Sequence, residues 1–163
     1  MSAFVLDTSI ALKWFLEDEN DRSYSLAILE TITDEYRPVV PWLWYYEIAS
    51  ALLTQVRRKR VEFEKILVYL NIIDEMAIDI DPPDSSAILQ LPHLARTYNL
   101  TGYDAAFLEL AKRLQVPLAT ADGPLMQAAS EYAVQLLPMP LAPIDEEQTP
   151  HEKKQDKKQT DEA

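Results

Sequence analysis

The chain contains no cysteine and, in 163 residues, only two histidines and two glycines. Without cysteine it can form no disulfide, no thiolate zinc site and no cysteine nucleophile. The two histidines, His93 and His151, argue against a histidine acid/base pair like that of ribonuclease A. Two glycines are too few for a phosphate-binding Walker loop or a dinucleotide-binding fingerprint. These absences exclude several large enzyme classes before any motif is considered.

Long apolar runs and an excess of positive charge are also missing. No run approaches the roughly 20 apolar residues of a membrane span, and the N-terminus lacks the pattern of a secretion signal. We therefore expect a cytoplasmic protein. The formal net charge of -12 argues against sequence-independent binding of nucleic acid through a basic surface. It does not exclude a nuclease, because metal ions can hold a phosphate group in an acidic protein.

The pattern of apolar residues predicts an α/β protein. At 48% hydrophobic residues, a chain of this length fits one globular domain. Strands are predicted at residues 3–6, 38–41, 77–81 and 116–120, with a short fifth at 133–137. Helices are predicted at residues 11–16, 22–32, 45–56, 62–73, 85–98 and 103–114 and after residue 122. This alternation predicts a three-layer α/β/α sandwich with a mostly parallel sheet of four or five strands. Pro92 should bend or divide the helix at 85–98.

The composition changes near Leu141, where prolines interrupt any regular element and the following residues are almost entirely polar. Such a segment buries too little apolar surface to offset its ordering entropy. We therefore predict a domain at residues 1–141 and a disordered tail at 142–163.

Four carboxylates are the strongest functional signal: Asp7, Glu47, Asp104 and Asp122. The three aspartates follow segments that resemble buried strands or strand-turn junctions, and ligands of open α/β sheets bind where strands end. Acids gathered there, with no paired Lys or Arg nearby in sequence, repel one another unless they are protonated or bridged by a cation. An all-oxygen site without cysteine or histidine favours Mg²⁺ or Mn²⁺ over zinc.

Each aspartate also has an ordinary structural explanation. Asp7 could cap the following helix, Asp104 could lie in a helix first turn, and Asp122 precedes a typical helix start. Glu47 is more informative, because it lies opposite the apolar stripe of its helix. The residues predicted to share its face are Ser50, Ala51, Thr54 and Arg58, and the smaller ones leave room for a metal, water or phosphate.

Two further groups carry weaker signals. The basic run Arg57-Arg58-Lys59-Arg60 suits a helix C-terminus, where the dipole favours cations. A second hypothesis is that it contacts an RNA backbone near the acids. The aromatic cluster is expected to pack in the core, with a dimer or partner surface as the alternative for some of its members. These aromatic residues are Trp42, Trp44, Tyr45 and Tyr46.

Four segments together resemble the PIN-domain ribonucleases, and most closely the VapC-type toxins. The segments, at residues 5–15, 41–52, 103–111 and 118–125, each contain one of the four acids. The resemblance extends from Val5 to about Leu137. It implies a small α/β/α sandwich in which the acids surround Mg²⁺ or Mn²⁺ and single-stranded RNA is cleaved.

Carried over by position, the resemblance makes Asp7 and Asp104 the primary metal ligands. Glu47 and Asp122 would complete the pocket, either directly or through water. The neighbouring polar positions that would orient ligands or phosphate are Thr8, Ser9 and Thr120. One departure is Ser50, which stands where many relatives have asparagine.

The resemblance also implies a small antitoxin that blocks the site, and a homodimer. A metal-dependent endoribonuclease acting as a toxin is therefore the leading hypothesis. One alternative is a PIN-fold module that acts only through protein contacts. The other is a phosphatase of the haloacid dehalogenase type, in which a second acid normally follows the nucleophilic aspartate by two residues, where this chain has Ser9.

Overall fold

The computed structural model describes residues 2–16, 22–82 and 84–139. Its sheet has four strands in the spatial order β3-β2-β1-β4, and all three pairings are parallel. The strands are β1 (Ser2–Leu6), β2 (Tyr36–Pro41), β3 (Asp79–Asp81) and β4 (Leu118–Ala119). In the register, Val5 pairs with Val39 of β2 and with Leu118 of β4.

Seven helices connect and cover these strands in the part of the chain that the structure describes. They are α1 (Thr8–Trp14), α2 (Arg22–Thr31), α3 (Trp44–Arg57), α4 (Phe63–Asp74), α5 (Ser85–Tyr98), α6 (Gly102–Leu114) and α7 (Gly123–Glu131). Helix α6 packs against β1, β2 and β4, and α5 packs beside it. Helix α1 contacts both α2 and α3.

The central strand explains why the fold has three layers. Phe4, Val5 and Leu6 are all fully buried, although successive side chains of a strand point to opposite faces of the sheet. Both faces must therefore be covered, as is usual for parallel sheets with helical crossovers. The α/β sandwich predicted from the sequence is confirmed.

Some details differ from the sequence prediction. The fifth strand is reduced to one bridge, between Leu118 and Leu136, so the sheet has four strands in the described chain. Helix α5 is continuous through Pro92 and is not divided there. Trp44 is fully buried as expected, but Trp42 and Tyr46 are 48% and 72% exposed, so the core assignment was wrong for these two. The predicted tail at 142–163 lies outside the described residues.

The described helices include none that combines the length and the apolar character needed to cross a bilayer.

An ionic cluster fastens α6 to the edge strand. Arg113 donates to Asp81 from Nη2 at 2.7 Å and to Glu109 from Nε at 2.8 Å. The Glu109 side chain is only 8% exposed, so its carboxylate depends on this arginine for compensation. Removing one partner of a buried pair leaves an uncompensated charge, which costs more than the pair itself contributes.

The substitution Arg113→Met should therefore lower the free energy of unfolding by about 2 kcal/mol, within the range for hydrogen bonds to charged groups. Urea unfolding at neutral pH measures the change. The matched control is Arg96→Met, which changes an exposed arginine of α5 and should have an effect below about 0.5 kcal/mol. Equal effects of the two substitutions would contradict the role given to Arg113.

Candidate functional site

The candidate site forms where β1 and β4 end side by side. Asp7 follows β1 directly, and Thr120 follows β4. Because these strands are parallel neighbours, their carboxyl ends meet at the same edge of the sheet. The Asp7 backbone N–H donates to the Ala119 carbonyl at 3.0 Å, and Thr120 Oγ1 donates to Asp7 Oδ2 at 2.7 Å. The pairing thus places the Asp7 carboxylate against the segment that leads to Asp122.

The Asp7 side chain is not explained by helix capping. Asp7 occupies the N-cap position of α1 but makes no side-chain cap hydrogen bond, so the capping alternative is wrong for this carboxylate. Asp7 is 5% exposed, and its Oδ2 atom accepts a second hydrogen bond from Ser9 Oγ at 2.5 Å. A buried carboxylate held by two hydroxyl groups requires another reason for its position.

Ser9 and Thr120 also tie the two strand ends together. Ser9 Oγ accepts from the Ala121 backbone N–H at 2.9 Å, and Thr120 Oγ1 accepts from the Asp122 N–H at 3.0 Å. Each hydroxyl therefore accepts a backbone hydrogen bond and donates to Asp7. This arrangement fixes both hydroxyl hydrogens toward the Asp7 carboxylate.

Asp104 and Asp122 do cap helices, as their ordinary explanations predicted. Asp122 Oδ1 accepts from the Leu125 N–H at 2.8 Å at the start of α7. Asp104 lies in the first turn of α6 and forms a reciprocal capping box with Thr101. Thr101 is the N-cap, so the strand-turn interpretation of residues 101–103 was wrong. Among the residues that the structure describes, the cap hydrogen bonds use one carboxylate oxygen of each aspartate, Oδ2 of Asp104 and Oδ1 of Asp122.

Thr101 is a partner of Asp104 that was not predicted from the sequence. Its Oγ1 atom donates to Asp104 Oδ2 at 2.7 Å. The signal was present, because a threonine three residues before an acid at a helix start is the pattern of a capping box. Thr101 therefore orients this carboxylate at the same time as it starts the helix.

Glu47 joins the group from the first turn of α3. Its Oε2 atom accepts from Thr8 Oγ1 at 3.1 Å, so it lies next to the residue that follows Asp7. Glu47 is half-buried, and this burial is the main cause that raises its pKa to about 7. The negative charges of Asp7 and Asp104 raise the pKa further, and the hydrogen bond from Thr8 opposes them.

The pKa of Asp7 is also raised, mainly by burial. The hydrogen bonds from Ser9 and Thr120 lower it, while the charges of Asp104 and Asp122 raise it. The four predicted acids therefore share one electrostatic environment. Among the described residues, no lysine or arginine is a cause of either shift.

The donor chemistry of this cluster fits a hard divalent cation. All four acids offer oxygen ligands, which Mg²⁺ and Mn²⁺ prefer. In the described part of the chain, no three acidic or histidine side chains are close enough together to enclose an ion as they stand. The raised pKa values of Asp7 and Glu47 nevertheless indicate a site that lacks positive charge, which a cation would supply.

The basic run and Ser50 lie apart from these contacts. Arg57 lies ten positions after Glu47 in α3, which corresponds to about 15 Å along the helix axis. The run therefore begins well away from Glu47 along this helix. Ser50 is exposed, and in the described chain its side chain makes no hydrogen bond to any of the four carboxylates.

The raised pKa of Glu47 predicts a specific pH dependence in the absence of metal. When a carboxyl group binds its proton more tightly in the folded state, the protein loses stability as pH rises from the group's unfolded pKa to its folded pKa. From about pH 4.5 to 7, Glu47→Gln should therefore gain in melting temperature relative to wild type. Thermal unfolding in EDTA at several pH values measures this difference.

Glu30→Gln, which changes an exposed glutamate of α2, is the matched control and should follow wild type over the same range. A constant difference between Glu47→Gln and wild type from pH 4.5 to 7 would contradict the assignment.

Comparison with known proteins places this geometry in a family. A family model described as the PIN domain matches residues 4–131, most of the chain. A comparison with curated protein sequences finds no match.

Solved structures have the same fold at low sequence identity. VapC20 of Mycobacterium tuberculosis, a sarcin–ricin loop cleaving toxin, aligns with a TM-score of 0.61 at 12% identity, over 78% of this chain and 95% of that one. PAE2754 of Pyrobaculum aerophilum aligns with a TM-score of 0.56 at 22% identity, over 78% of this chain and 84% of that one. VapBC-1 of nontypeable Haemophilus influenzae aligns with a TM-score of 0.56 at 16% identity, over 83% of this chain and 96% of that one. With a family model over most of its length and the same fold in solved structures, the chain belongs to the PIN domain family.

Proposed function

We propose that this protein is a metal-dependent endoribonuclease that cleaves single-stranded RNA and acts as the toxin of a toxin–antitoxin pair. The observation that carries the proposal is the buried Asp7 carboxylate. It shares its electrostatic environment with three other acids, and no lysine or arginine of the described chain contributes to the pKa shift of Asp7 or Glu47. A protein gains no stability from such an arrangement. Its maintenance is explained if the acids bind a cation that holds the scissile phosphate.

In this proposal Asp7 and Asp104 are the primary ligands of Mg²⁺ or Mn²⁺, and Glu47 and Asp122 bind directly or through water. The bound ion would lower the pKa of a water molecule for attack on phosphorus and stabilise the leaving oxygen. The chain itself holds the ligands in place. Asp104 and Asp122 are fixed by their helix caps, while the hydroxyl groups of neighbouring residues orient Asp7.

The toxin role and its partners rest on weaker support. Similarity of fold to VapC20, a sarcin–ricin loop cleaving toxin, supports an RNA substrate, and similarity to VapBC-1 supports a small antitoxin partner. The exposed aromatic rings of Trp42 and Tyr46 lie close in sequence to Glu47 and suit a contact surface for an antitoxin or a second copy in a homodimer. A ribonuclease of this kind would act in the cytoplasm.

Two alternatives are less well supported. Membership of the PIN family leaves the haloacid dehalogenase hypothesis without support, and Ser9 donates a hydrogen bond to Asp7 where that class has a second acid. A PIN-fold module without nuclease activity remains the second candidate. Calorimetric titration with Mn²⁺ separates it from the main proposal, since a module of this kind need not bind metal through Asp7.

Substitution of the primary ligands should abolish RNA cleavage. We expect Asp7→Asn and Asp104→Asn to lower the cleavage rate by more than about 100-fold. Loss of a metal ligand should reduce activity more than loss of a residue that only orients a ligand, which typically costs 10- to 100-fold. Cleavage of a fluorescent single-stranded RNA in Mg²⁺ or Mn²⁺ measures the rate, and EDTA should remove it. Asp34→Asn, at an exposed position, is the control. Undiminished cleavage by both ligand variants, or by wild type in EDTA, would refute the proposal.

The hydroxyl groups that hold Asp7 should matter less than the ligands but measurably. Thr120→Val and Ser9→Ala each remove one hydrogen bond to Asp7, and we expect each to reduce cleavage about 10- to 100-fold. The half-saturating Mn²⁺ concentration should rise as well, which distinguishes a positioning role from a purely structural one. Thr31→Val, which removes a threonine hydroxyl bonded to the Ile28 carbonyl in α2, is the matched control. Unchanged Mn²⁺ dependence in both test variants would argue against the positioning role.

A further inference from the structure

One surface cleft of the protein is not used by the chemistry above, and none of the four acids is in its lining. It has a volume of about 490 Å³ and opens between the end of α5 and the outer side of α7. Two sides of it belong to segments that carry the proposed metal ligands. Gly123, in its lining, directly follows Asp122, and Asn99, also in its lining, lies two residues before the Thr101 that holds Asp104.

This position is significant for a strand of RNA. Because Gly123 directly follows Asp122 and Asn99 lies two residues before the partner of Asp104, the cleft would adjoin the scissile phosphate of the proposed function. In a single strand of RNA, the nucleotide that adjoins the scissile phosphate would then lie next to the cleft. The cleft is therefore placed to receive one nucleotide next to the cut.

The lining is suited to a base rather than to a phosphate group. In a chain with a net charge of -12, the cleft contains one charged side chain, Glu131, and no lysine or arginine. No cation in this lining would balance a phosphate group, and the Asp122 carboxylate already caps the N-terminus of α7, where an anion could otherwise bind. A nucleobase is neutral, and its edges require amide and hydroxyl partners.

Those partners are present and partly oriented. Gln127 Nε2 donates to Glu131 Oε1 at 2.9 Å, one turn along α7, which leaves the amide oxygen and the second N–H of Gln127 for a ligand. Asn99, whose backbone has the left-handed conformation with φ 52°, supplies another side-chain amide. Thr97 adds a hydroxyl group. Tyr98 also lines the cleft, with its ring packed at 5.5 Å against Tyr132, and unpaired bases stack on aromatic side chains.

From this arrangement we propose that the cleft binds one unpaired nucleobase adjacent to the scissile phosphate, and that Gln127 contributes to the choice of base. The inference rests on the proposed nuclease function and deepens it, because it makes the protein selective at a defined position of a single-stranded RNA.

Sequencing of cleavage products from a random single-stranded RNA tests the choice of base. Wild type should show a base preference at one position next to the cut. Gln127→Leu should reduce that preference about five- to tenfold, as expected for loss of one set of hydrogen bonds to a base, with the other positions unchanged. Gln90→Leu makes the same change at an exposed position of α5 and should retain the wild-type preference. An unchanged preference in Gln127→Leu, or none in wild type, would overturn the inference.

Photochemical cross-linking separates failure of this inference from failure of the nuclease proposal, because it does not require cleavage. An RNA oligonucleotide containing 4-thiouridine, mixed with the Asp7→Asn chain in Mn²⁺, should cross-link to residues 97–99 or 123–131. The yield should fall when Gln127→Leu is added and not when Gln90→Leu is added. Cross-links at these residues, with no cleavage by wild type, would support the cleft and reject the nuclease. Cross-links elsewhere, or none, would overturn the cleft whatever the activity.

Discussion

The parallel pairing of β1 with β4 is the constraint on which the rest of the site depends. It joins two segments that are more than 110 residues apart and ends both strands at the same edge. One consequence is the pair of hydroxyl groups, from Ser9 and Thr120, that hold the Asp7 carboxylate. Another is that the chain leaving β4 passes directly to Asp122. Without this pairing, Asp7 would be an isolated acid at the end of a strand.

The same arrangement opposes stability. Burial makes the charged form of Asp7 costly, and the fields of neighbouring acids increase that cost, while two hydrogen bonds offset only part of it. Glu47 experiences the same effects, with one hydrogen bond in compensation. Elsewhere the fold treats a buried acid differently, since Glu109 is paired with Arg113. An uncompensated carboxylate beside a compensated one in the same domain supports the proposed role of Asp7.

The ordinary and functional explanations of the aspartates turned out to be compatible at two positions and not at the third. Asp104 and Asp122 cap helices, and the caps hold their carboxylates in fixed orientations near Asp7. Capping is therefore part of how the site is built. Asp7 caps nothing with its side chain, which makes it the residue whose position most needs a ligand. The basic run, by contrast, begins about 15 Å from Glu47 along α3, so any contact that it made with RNA would lie away from this acid.

The sequence by itself determined the class of fold and singled out four acids that the structure brings into one electrostatic environment. Apolar runs at the positions of β1 and β2 and the periodic stripe of α3 are local properties, and a buried parallel strand needs no distant partner to be recognised. The absence of cysteine and the scarcity of histidine restricted the chemistry to oxygen ligands.

Tertiary structure alone decided which residues meet. The bond between Thr8 and Glu47, the exposure of Trp42 and Tyr46, the reduction of the fifth strand to one bridge and the pairing of Arg113 with Asp81 depend on contacts between distant segments. A single sequence records no such contacts. The raised pKa of Glu47 arises in the same way, because desolvation and the charges of Asp7 and Asp104 exist only once the chain has folded around them.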